Sequence, residues 1–113
     1  MDYVPKRGDA VWLNLNPQAG REQAGRRPVI VLSPISYNRR TGLAIVSPIA
    51  SHAKGYTFEV SIPVGLRVKG VILSDHVKSS DWRMLDIKFI CRLPESVVEE
   101  VLEKLSVLLR AEI

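Results

Sequence analysis

The sequence predicts a mainly β protein of the α+β class, a small antiparallel barrel with one amphipathic C-terminal helix. Short apolar segments separated by Gly, Pro, Asn and Ser fill the first two-thirds of the chain, which is typical of strands. The segments between them are too short for the crossover helices that parallel strands require. From Pro94 onward the apolar period becomes helical. The 113 residues fit a single domain, 1–113, with one modest core.

Strand patterns recur along the first two-thirds of the chain. In residues 9–16, Val11 and Leu13 alternate with more polar side chains, as in a strand with one buried face. Residues 29–33 and 43–47 are apolar runs that are each followed directly by a proline, which indicates strands covered on both faces. The remaining strands are predicted over residues 57–62, 71–74 and 87–92.

The C-terminal helix is predicted from one continuous apolar stripe. Pro94 suits the first turn of a helix, where its missing N–H leaves no bond unmade. Glu95 near the start and Arg110 near the end match the helix dipole. The stripe that faces the sheet consists of Val97, Val98, Val101, Leu102, Leu105, Leu108 and Leu109.

Composition and charge exclude several classes of protein. A net charge of +4 is too mild to define a partner by itself, so the placement of the charge must decide. No apolar run approaches the roughly 18 residues of a membrane helix, and the N-terminus lacks the apolar stretch of a secretory signal. We therefore expect a cytoplasmic protein that does not enter a membrane. With Cys91 as the single cysteine and only two histidines, no disulfide and no zinc-ligand spacing is present, and we expect no metal site.

The stretch NPQAGREQAGRRPVIVLSP places a basic, glycine-containing loop directly before a strand. Pro28 cannot donate to a sheet ladder and is expected to begin its strand. Because a residue before proline is biased to an extended backbone, Arg27 is held at the root of that strand. A guanidinium fixed under a basic loop matches two phosphate oxygens, whereas the loop lacks the Gly-Lys-Ser/Thr ending of a P-loop. The pattern favours a phosphate site at Arg27 over an arginine that is merely exposed.

The partner of Arg27 follows from the predicted pairing of two strands. A loop that contains Asn38 and Gly42 connects the runs 29–33 and 43–47. If these runs pair as an antiparallel hairpin, residue numbers opposite each other sum to about 76. This register, good to about two residues, sets Arg27 against residues 48–51.

The residues assembled so far resemble the MazF/PemK/Kid family of bacterial toxin endoribonucleases over nearly the whole chain. The motifs that carry the resemblance are RGDAVWLNLNP, GREQAGRRPVIVLSP, YNRRTG, KGYTFEV and GVILSDHVKS. The resemblance implies an SH3-like barrel, a homodimer, and cleavage of single-stranded RNA that needs no metal or cofactor. The implied products carry a 2′,3′-cyclic phosphate and a 5′-hydroxyl. It also implies a MazE-like antitoxin that lays an acidic, extended segment over the RNA groove.

By the same resemblance, Arg27 matches the catalytic arginine of the family, but one catalytic position departs from the pattern. The family has Pro-x-Thr after the second strand, whereas this chain has Ala50, and a methyl group can neither donate to a phosphate nor relay a proton. Ser51 could turn its hydroxyl inward, although alternation along a strand opposes this. Otherwise the chain has diverged to use other groups, or it is a disabled variant. We expect impaired activity by one of the last two routes.

Asp75 and His76 match an acidic-Gln pair of many relatives, with His in place of Gln. Asp75 could act as a base, and an imidazole can accept or donate a proton near neutral pH. The alternative, which we favour slightly, is that both contact RNA bases and move no protons. RNA contacts are further expected at five positions, while His52 is expected to be a surface loop residue. The five are Glu22, Gln23, Ser51, Lys54 and Lys78.

Two other functions stay open from the sequence. CcdB-like toxins resemble this fold and bind DNA gyrase without cutting nucleic acid, but their gyrase-binding residues are not recognisable here. A non-catalytic RNA-binding or antitoxin-binding module is the second, and Ala50 makes it more credible. The loop GREQAGRRP and the internal Asp75 favour the nuclease.

Overall fold

The computed structural model describes residues 2–14 and 25–110, which form a seven-stranded antiparallel sheet and two helices. The predicted α+β class is confirmed. Residues 15 and 16 of the first predicted strand lie outside the described residues. In chain order the elements are β1 (Asp9–Asn14), β2 (Arg26–Val31), α1 (Ile35–Thr41), β3 (Leu43–Ala50), β4 (Glu59–Ser61), β5 (Val71–Leu73), β6 (Lys78–Asp81), β7 (Lys88–Arg92) and α2 (Glu95–Arg110).

The strands follow one path, β4-β5-β3-β2-β1-β7, and β6 pairs with β3 beside this path. Every pairing is antiparallel, as the short connections predict. Within the described part of the chain the terminal strands β4 and β7 do not pair with each other. The sheet is therefore open at this point, and the expected closure into a barrel is not seen.

The central strands are covered on both faces, which is why their sequences read as continuous apolar runs. On one face, Ala10 and Ile30 belong to a cluster that includes Val101 of α2. On the other face, Val29 and Trp82 belong to a second cluster. The predicted helical stripe packs through Val97, Val98, Val101 and Leu105, whereas Leu108 and Leu109 at its end are exposed.

The connection between β2 and β3 contains a short helix, α1, where the sequence predicted only a loop. Gly42 ends the helix at a φ of 74°, a left-handed conformation that glycine adopts without strain. Asn38 is fully buried, and its amide nitrogen donates to the carbonyl oxygens of Pro5 (2.8 Å) and Ser33 (3.0 Å). The helix was missed because these contacts, rather than helix propensity or an apolar stripe, stabilise it.

Strand β6 was also missed by the sequence analysis. Its sequence, KSSD, has no apolar alternation and no β-branched residue. Pairing with β3 sets Lys78 opposite Val46 and Ser80 opposite Ala44, and it buries Ser80. The strand forms because it can pair with the edge of β3, and such a tertiary contact cannot be predicted from the local sequence pattern.

A charged cluster around Asp9 ties the N-terminal segment to the sheet. Asp9 is buried, and its carboxylate accepts hydrogen bonds from the Tyr3 hydroxyl, the Lys6 backbone N–H (3.0 Å) and Arg92 Nη1 (3.0 Å). Burial, and then the hydrogen bond to Asp9, raise the pKa of the Tyr3 phenol above its usual value. The charges of this cluster, defined by Tyr3, Asp9 and Arg92, are thus satisfied within the fold.

Candidate functional site

Strands β2 and β3 bring the predicted catalytic positions to one end of the sheet. Their pairing sets Val29 opposite Pro48, which is the last pair of the ladder toward this end. Extrapolated by two residues in each strand beyond the observed ladder, this register would set Arg27 opposite Ala50, which in the structure pairs with Val71 of β5. This lies within the two-residue tolerance of the sequence-based register. Alternation puts both positions on the face that carries Val29.

The two neighbouring arginines at the start of β2 differ in their surroundings. The Arg26 guanidinium lies 5.1 Å from the centroid of the Trp12 ring, a cation–π contact that covers this tryptophan. Arg27 is exposed, and its Nη1 donates to the Arg26 carbonyl oxygen at 3.0 Å. Within residues 2–14 and 25–110, Arg27 forms no ion pair. Its remaining donors are therefore available to an anion.

Asp75 and His76 lie in a turn, residues 74–77, between two strands that both pair with β3. From the pair Ile45–Ser79 to the pair Ile49–Ile72, β3 advances four residues while the opposite chain covers seven. The three additional residues leave the ladder, and the His76 N–H closes the turn on the Leu73 carbonyl oxygen at 3.0 Å. Both side chains are exposed as a result.

A cavity of about 150 Å³, here called the Ala50 pocket, lies beside this turn. It brings together four of the predicted residues. Sequence analysis predicted only a surface position for His52, and it missed Tyr56, Glu59 and Leu73. The motif KGYTFEV, which contains Tyr56 and Glu59, was the available signal for these two. The pocket is lined by Ala50, His52, Lys54, Tyr56, Glu59, Leu73, Asp75 and His76.

The polar groups of the pocket are arranged for proton exchange and anion contact. His76 Nε2 lies 3.8 Å from Asp75 Oδ1, so an imidazole and a carboxylate stand side by side at the pocket. Both side chains remain solvent-accessible, with 59% and 42% of their surfaces exposed, so the pair is reachable by a ligand. The exposed Lys54 adds a positive charge that forms no ion pair among the described residues.

Gly70 fixes the backbone at position 50. Its φ is +117°, and a Cβ placed there would lie 1.9 Å from the Ala50 carbonyl oxygen. No side chain fits at that distance, so the close approach of the two backbones requires glycine. The Gly70 carbonyl oxygen accepts a hydrogen bond from the Ile62 N–H at 3.0 Å, which holds this segment beside β4.

The other predicted contact residues fall in three places. Ser51 is exposed just beyond β3, and its hydroxyl lies 3.0 Å from His52 Nδ1 and does not line the Ala50 pocket. Lys78 is exposed at the start of β6. Glu22 and Gln23 lie outside the described residues. The roles of all these residues stay predictions.

A larger concavity, of about 630 Å³, lies between the N-terminal segment and α2, and none of the predicted site residues that the structure describes lines it. Volume alone therefore does not identify the site. We choose the Ala50 pocket because side chains that can transfer protons or bind anions meet there. Among the described residues, no group of three or more His, Cys, Asp or Glu could hold a metal ion. No helix in this part of the chain has the length and apolar character to cross a membrane.

Comparison with known proteins gives the family. Residues 6–109 match the PemK-like, MazF-like toxins of type II toxin–antitoxin systems, and the chain belongs to this family. It is 48% identical to the endoribonuclease toxin MazF of Escherichia coli K12 over 81 residues, 72% of each protein. It is 38% identical to the endoribonuclease PemK of Escherichia coli over 108 residues, 92% of this chain and 81% of PemK.

The fold agrees with solved structures of the same family. The crystal structure of MazE–MazF (Form-II) from Deinococcus radiodurans superimposes with a TM-score of 0.86 at 47% identity. The match covers 96% of this chain and 97% of the other. The fold and family expected from the sequence motifs are thereby confirmed.

Proposed function

We propose that this chain is the toxin of a type II toxin–antitoxin system and an endoribonuclease that cleaves single-stranded RNA. The observation that carries the proposal is the pocket that Ala50 shares with the turn of Asp75 and His76. The pairing of Val29 with Pro48, two residues from Arg27 and from Ala50, supports placing Arg27 at the same end of the sheet. Relatives that are 48% and 38% identical to this chain are named endoribonucleases. We propose that residues 1–113 act as one domain.

The reaction needs no nucleophile from the protein, because the RNA supplies its own 2′-hydroxyl. The 2′-oxygen attacks phosphorus, the bond from phosphorus to the 5′-oxygen breaks, and the proton lost from the 2′-hydroxyl is balanced by one given to the 5′-oxygen. The products are a 2′,3′-cyclic phosphate and a 5′-hydroxyl. Proton transfers of this kind contribute roughly 10²–10⁴-fold. Because Asp75 and His76 line the same pocket as Ala50, we assign the transfers to them in place of the base contacts that the sequence slightly favoured. No metal ion or cofactor takes part in this proposal.

Arg27 is proposed to stabilise the charge that develops on the phosphate. Within the described residues its guanidinium is exposed, forms no ion pair and donates from Nη1 to the Arg26 carbonyl oxygen at 3.0 Å, so Nε and Nη2 face no competing partner there. A planar fork of donors matches two phosphate oxygens. Each well-aimed donor of this kind is worth about 10²–10³-fold in rate.

Ala50 is proposed to lower the activity of this chain. Its methyl group supplies no hydrogen bond at the position where the family has threonine. The hydroxyl of Ser51 does not line the pocket, which argues against a simple replacement by the next residue. One missing transition-state donor corresponds to a loss of roughly 10²-fold.

RNA binding is proposed to use the Ala50 pocket and the cations around it. The pocket volume of about 150 Å³ is below the ~300 Å³ typical of whole-ligand sites, so it suits one part of a nucleotide. Lys54 and Lys78 contribute phosphate contacts, Ser51 adds a polar contact, and the loop residues Glu22 and Gln23 complete the surface. Binding through cations should weaken markedly as salt rises.

The proposal includes the assembly and the partner of the toxin. We propose a cytoplasmic homodimer that a MazE-like antitoxin inhibits by covering the RNA groove. The similarity to MazF in a MazE–MazF complex supports this partner. Sedimentation of the purified chain should give the mass of two copies; a monomer at micromolar concentration would contradict the dimer.

A second function is favoured by one observation, the methyl group at position 50. The chain could bind RNA or antitoxin without cutting, because loss of a catalytic donor leaves the binding surface in place. Such a module would bind single-stranded RNA with the same salt dependence and release no cleaved product.

A nucleotide-resolution cleavage map separates the two functions. The parent chain and the Ala50→Thr variant are incubated with one long RNA in the presence of a chelator, and the product ends are analysed chemically. We expect slow cleavage by the parent and cleavage about 10²-fold faster by the variant, both leaving cyclic phosphate ends. Equal rates would contradict our placement of position 50 in the catalytic site. Salt-sensitive RNA binding without any product from either protein would favour the non-catalytic module.

A further inference from the structure

We propose that Lys104 of α2 and Glu59 of β4 are positioning residues, which fix the 51–58 loop so that its side chains can hold RNA at the Ala50 pocket. The 51–58 loop links β3 to β4 and supplies His52, Lys54 and Tyr56 to the pocket. This inference rests on the proposed function, because it concerns how the same site is held ready for RNA.

The loop has little structure of its own. Residues 51–58 lie in no strand or helix, and seven of the eight are exposed. At the end of the loop, the Phe58 carbonyl oxygen accepts a hydrogen bond from the N–H of Ser74, the residue after β5, at 3.1 Å. A loop of this kind must lose conformational freedom when it binds RNA unless other contacts order it beforehand.

Glu59 supplies the first of these contacts. Its carboxylate accepts hydrogen bonds from the backbone N–H groups of Lys54, at 3.0 Å, and of Gly55, at 3.1 Å. These bonds fold the loop back on the start of β4. An ionised acceptor makes them stronger than bonds between neutral groups. Among the described residues only the backbone of Lys54 takes part in these bonds and its ammonium forms no ion pair, so we assign the ammonium to RNA.

Lys104 supplies the second contact and connects the loop to α2. Its Nζ donates to the carbonyl oxygens of Thr57, at 2.8 Å, and of Glu59, at 3.0 Å. These bonds span more than forty residues of sequence, so they tie the loop to a separate element of the fold. Lys104 does not line the Ala50 pocket, which separates its role from direct RNA contact.

The consequence is a site that is organised before RNA arrives. With both contacts in place, His52, Lys54 and Tyr56 are displayed from a loop held at two points. Without the Lys104 contact, the loop end nearest Thr57 loses its tie to the helix, and RNA must order it on binding. Such a cost appears in KM, whereas the phosphate chemistry assigned to Arg27 determines kcat.

The test uses the full chain with Ala50→Thr as the parent, so that cleavage is fast enough to follow. Lys104→Met removes the donor and keeps the aliphatic stem, Lys104→Arg keeps a charged donor, and Glu100→Gln removes only the 3.6 Å ion pair to Lys104. Amide hydrogen exchange of residues 54–58 is measured without RNA, and KM and kcat are measured with a short single-stranded RNA.

We expect Lys104→Met to exchange about 10-fold faster in the loop and to raise KM about 10-fold, with kcat within about threefold of the parent. Lys104→Arg should keep the exchange rate of the loop and the KM close to those of the parent. Glu100→Gln should leave both the exchange rate and the KM unchanged. Unchanged exchange in Lys104→Met overturns the inference. A mobile loop with unchanged KM, or a fall in kcat alone, also overturns it, since the role would then be structural only.

The same experiment keeps this inference distinct from the proposed function. If the parent with Thr at position 50 neither binds nor cleaves RNA, the proposed function fails, and the positioning role for RNA fails with it. If the parent cleaves RNA and Lys104→Met matches it in KM, only the positioning role fails.

Discussion

The two ends of strand β1 differ in what their charged side chains contact. At one end the buried Asp9 carboxylate accepts hydrogen bonds from Tyr3, from the Lys6 backbone and from Arg92. Toward the other end Leu13 pairs with Arg27, whose guanidinium is exposed and forms no ion pair within the described residues. Four residues of extended strand, about 13 Å, separate the two.

The difference separates charge that stabilises the fold from charge that is open to a ligand. A buried carboxylate must be satisfied within the protein, so removing it or its partners lowers stability. An exposed guanidinium without a carboxylate partner contributes little to stability and keeps its donors for an anion. Substitutions at the Asp9 end should therefore change stability, and substitutions at the Arg27 end should change activity.

The largest effect is expected at Asp9. Asp9→Ala removes an ionised acceptor of three hydrogen bonds, and one such bond is worth about 1.5–3 kcal/mol. Because the remaining Arg92 side chain is half exposed, we expect a total loss of about 3 kcal/mol of unfolding free energy. Urea denaturation measures the loss, while the RNA affinity of the folded fraction stays unchanged. The exposed Asp2 provides the control, with Asp2→Ala within about 0.5 kcal/mol of the parent. A loss below about 1 kcal/mol at Asp9 would remove the contrast between the two ends.

Gly70→Ala should affect both stability and the site. The added Cβ would lie 1.9 Å from the Ala50 carbonyl oxygen, so the backbone of β3 must shift. Gly65 is a matched control, because it also has a positive φ, +102°, but nothing lies within 4 Å of the added Cβ. We expect Gly70→Ala to cost about 2 kcal/mol more than Gly65→Ala, and to slow cleavage by the Ala50→Thr protein.

Equal unfolding free energies for the two glycine variants would show that the approach of Gly70 to Ala50 does not constrain position 50. A stability loss without any change in cleavage would show that the site tolerates displacement of this backbone.

A smaller effect, on the salt dependence of RNA binding, is expected when one lysine is replaced at each end of the molecule. Lys78→Met should weaken RNA binding and reduce the slope of log affinity against log salt by about 0.7, the value for one contact to single-stranded nucleic acid. Lys6→Met removes the same charge at the Asp9 end and should leave the slope unchanged. Titration of a short RNA at several salt concentrations measures both, and equal slopes for the two variants would contradict the assignment of Lys78.

The smallest effect concerns the Tyr3 hydroxyl. Because the fold raises the pKa of Tyr3 above its unfolded value of 10.0, the contribution of this group is complete below that pH and is lost as pH rises above it. Tyr3→Phe should cost about 1 kcal/mol near neutral pH and remove this alkaline dependence. Urea denaturation at about pH 8 and about pH 11 gives the comparison. A variant that loses stability with pH as steeply as the parent would exclude Tyr3 as the cause.

The register between β2 and β3 was predictable from sequence to within about two residues. The apolar runs at β2 and β3 are each bounded by proline, and the positions that must be buried fix which residues face each other. The α2 stripe was predictable for the same reason, because four of its apolar residues are buried against the sheet. When a whole face of a strand or helix is buried, its apolar residues recur at a regular spacing that can be read from the sequence.

The elements that sequence analysis missed depend on contacts between distant residues. Helix α1 is stabilised through the buried amide of Asn38, which donates to the Pro5 carbonyl oxygen 33 residues away. The polar strand β6 forms on the edge of β3. In the same way, the inclusion of His52 and Tyr56 in the Ala50 pocket follows from the path of a loop that Lys104 holds from α2. None of these contacts leaves a periodic signal.

The most direct test of the central claim is a double-mutant cycle between positions 27 and 50. Cleavage of one short single-stranded RNA is followed for the parent, Ala50→Thr, Arg27→Ala and the double variant, with unfolding free energy measured for each. We predict that the threonine accelerates cleavage by about 10²-fold when Arg27 is present and by little when it is absent, with all four proteins similarly stable. An equal acceleration with and without Arg27 would show that the two positions do not act on the same phosphate, and would contradict the account.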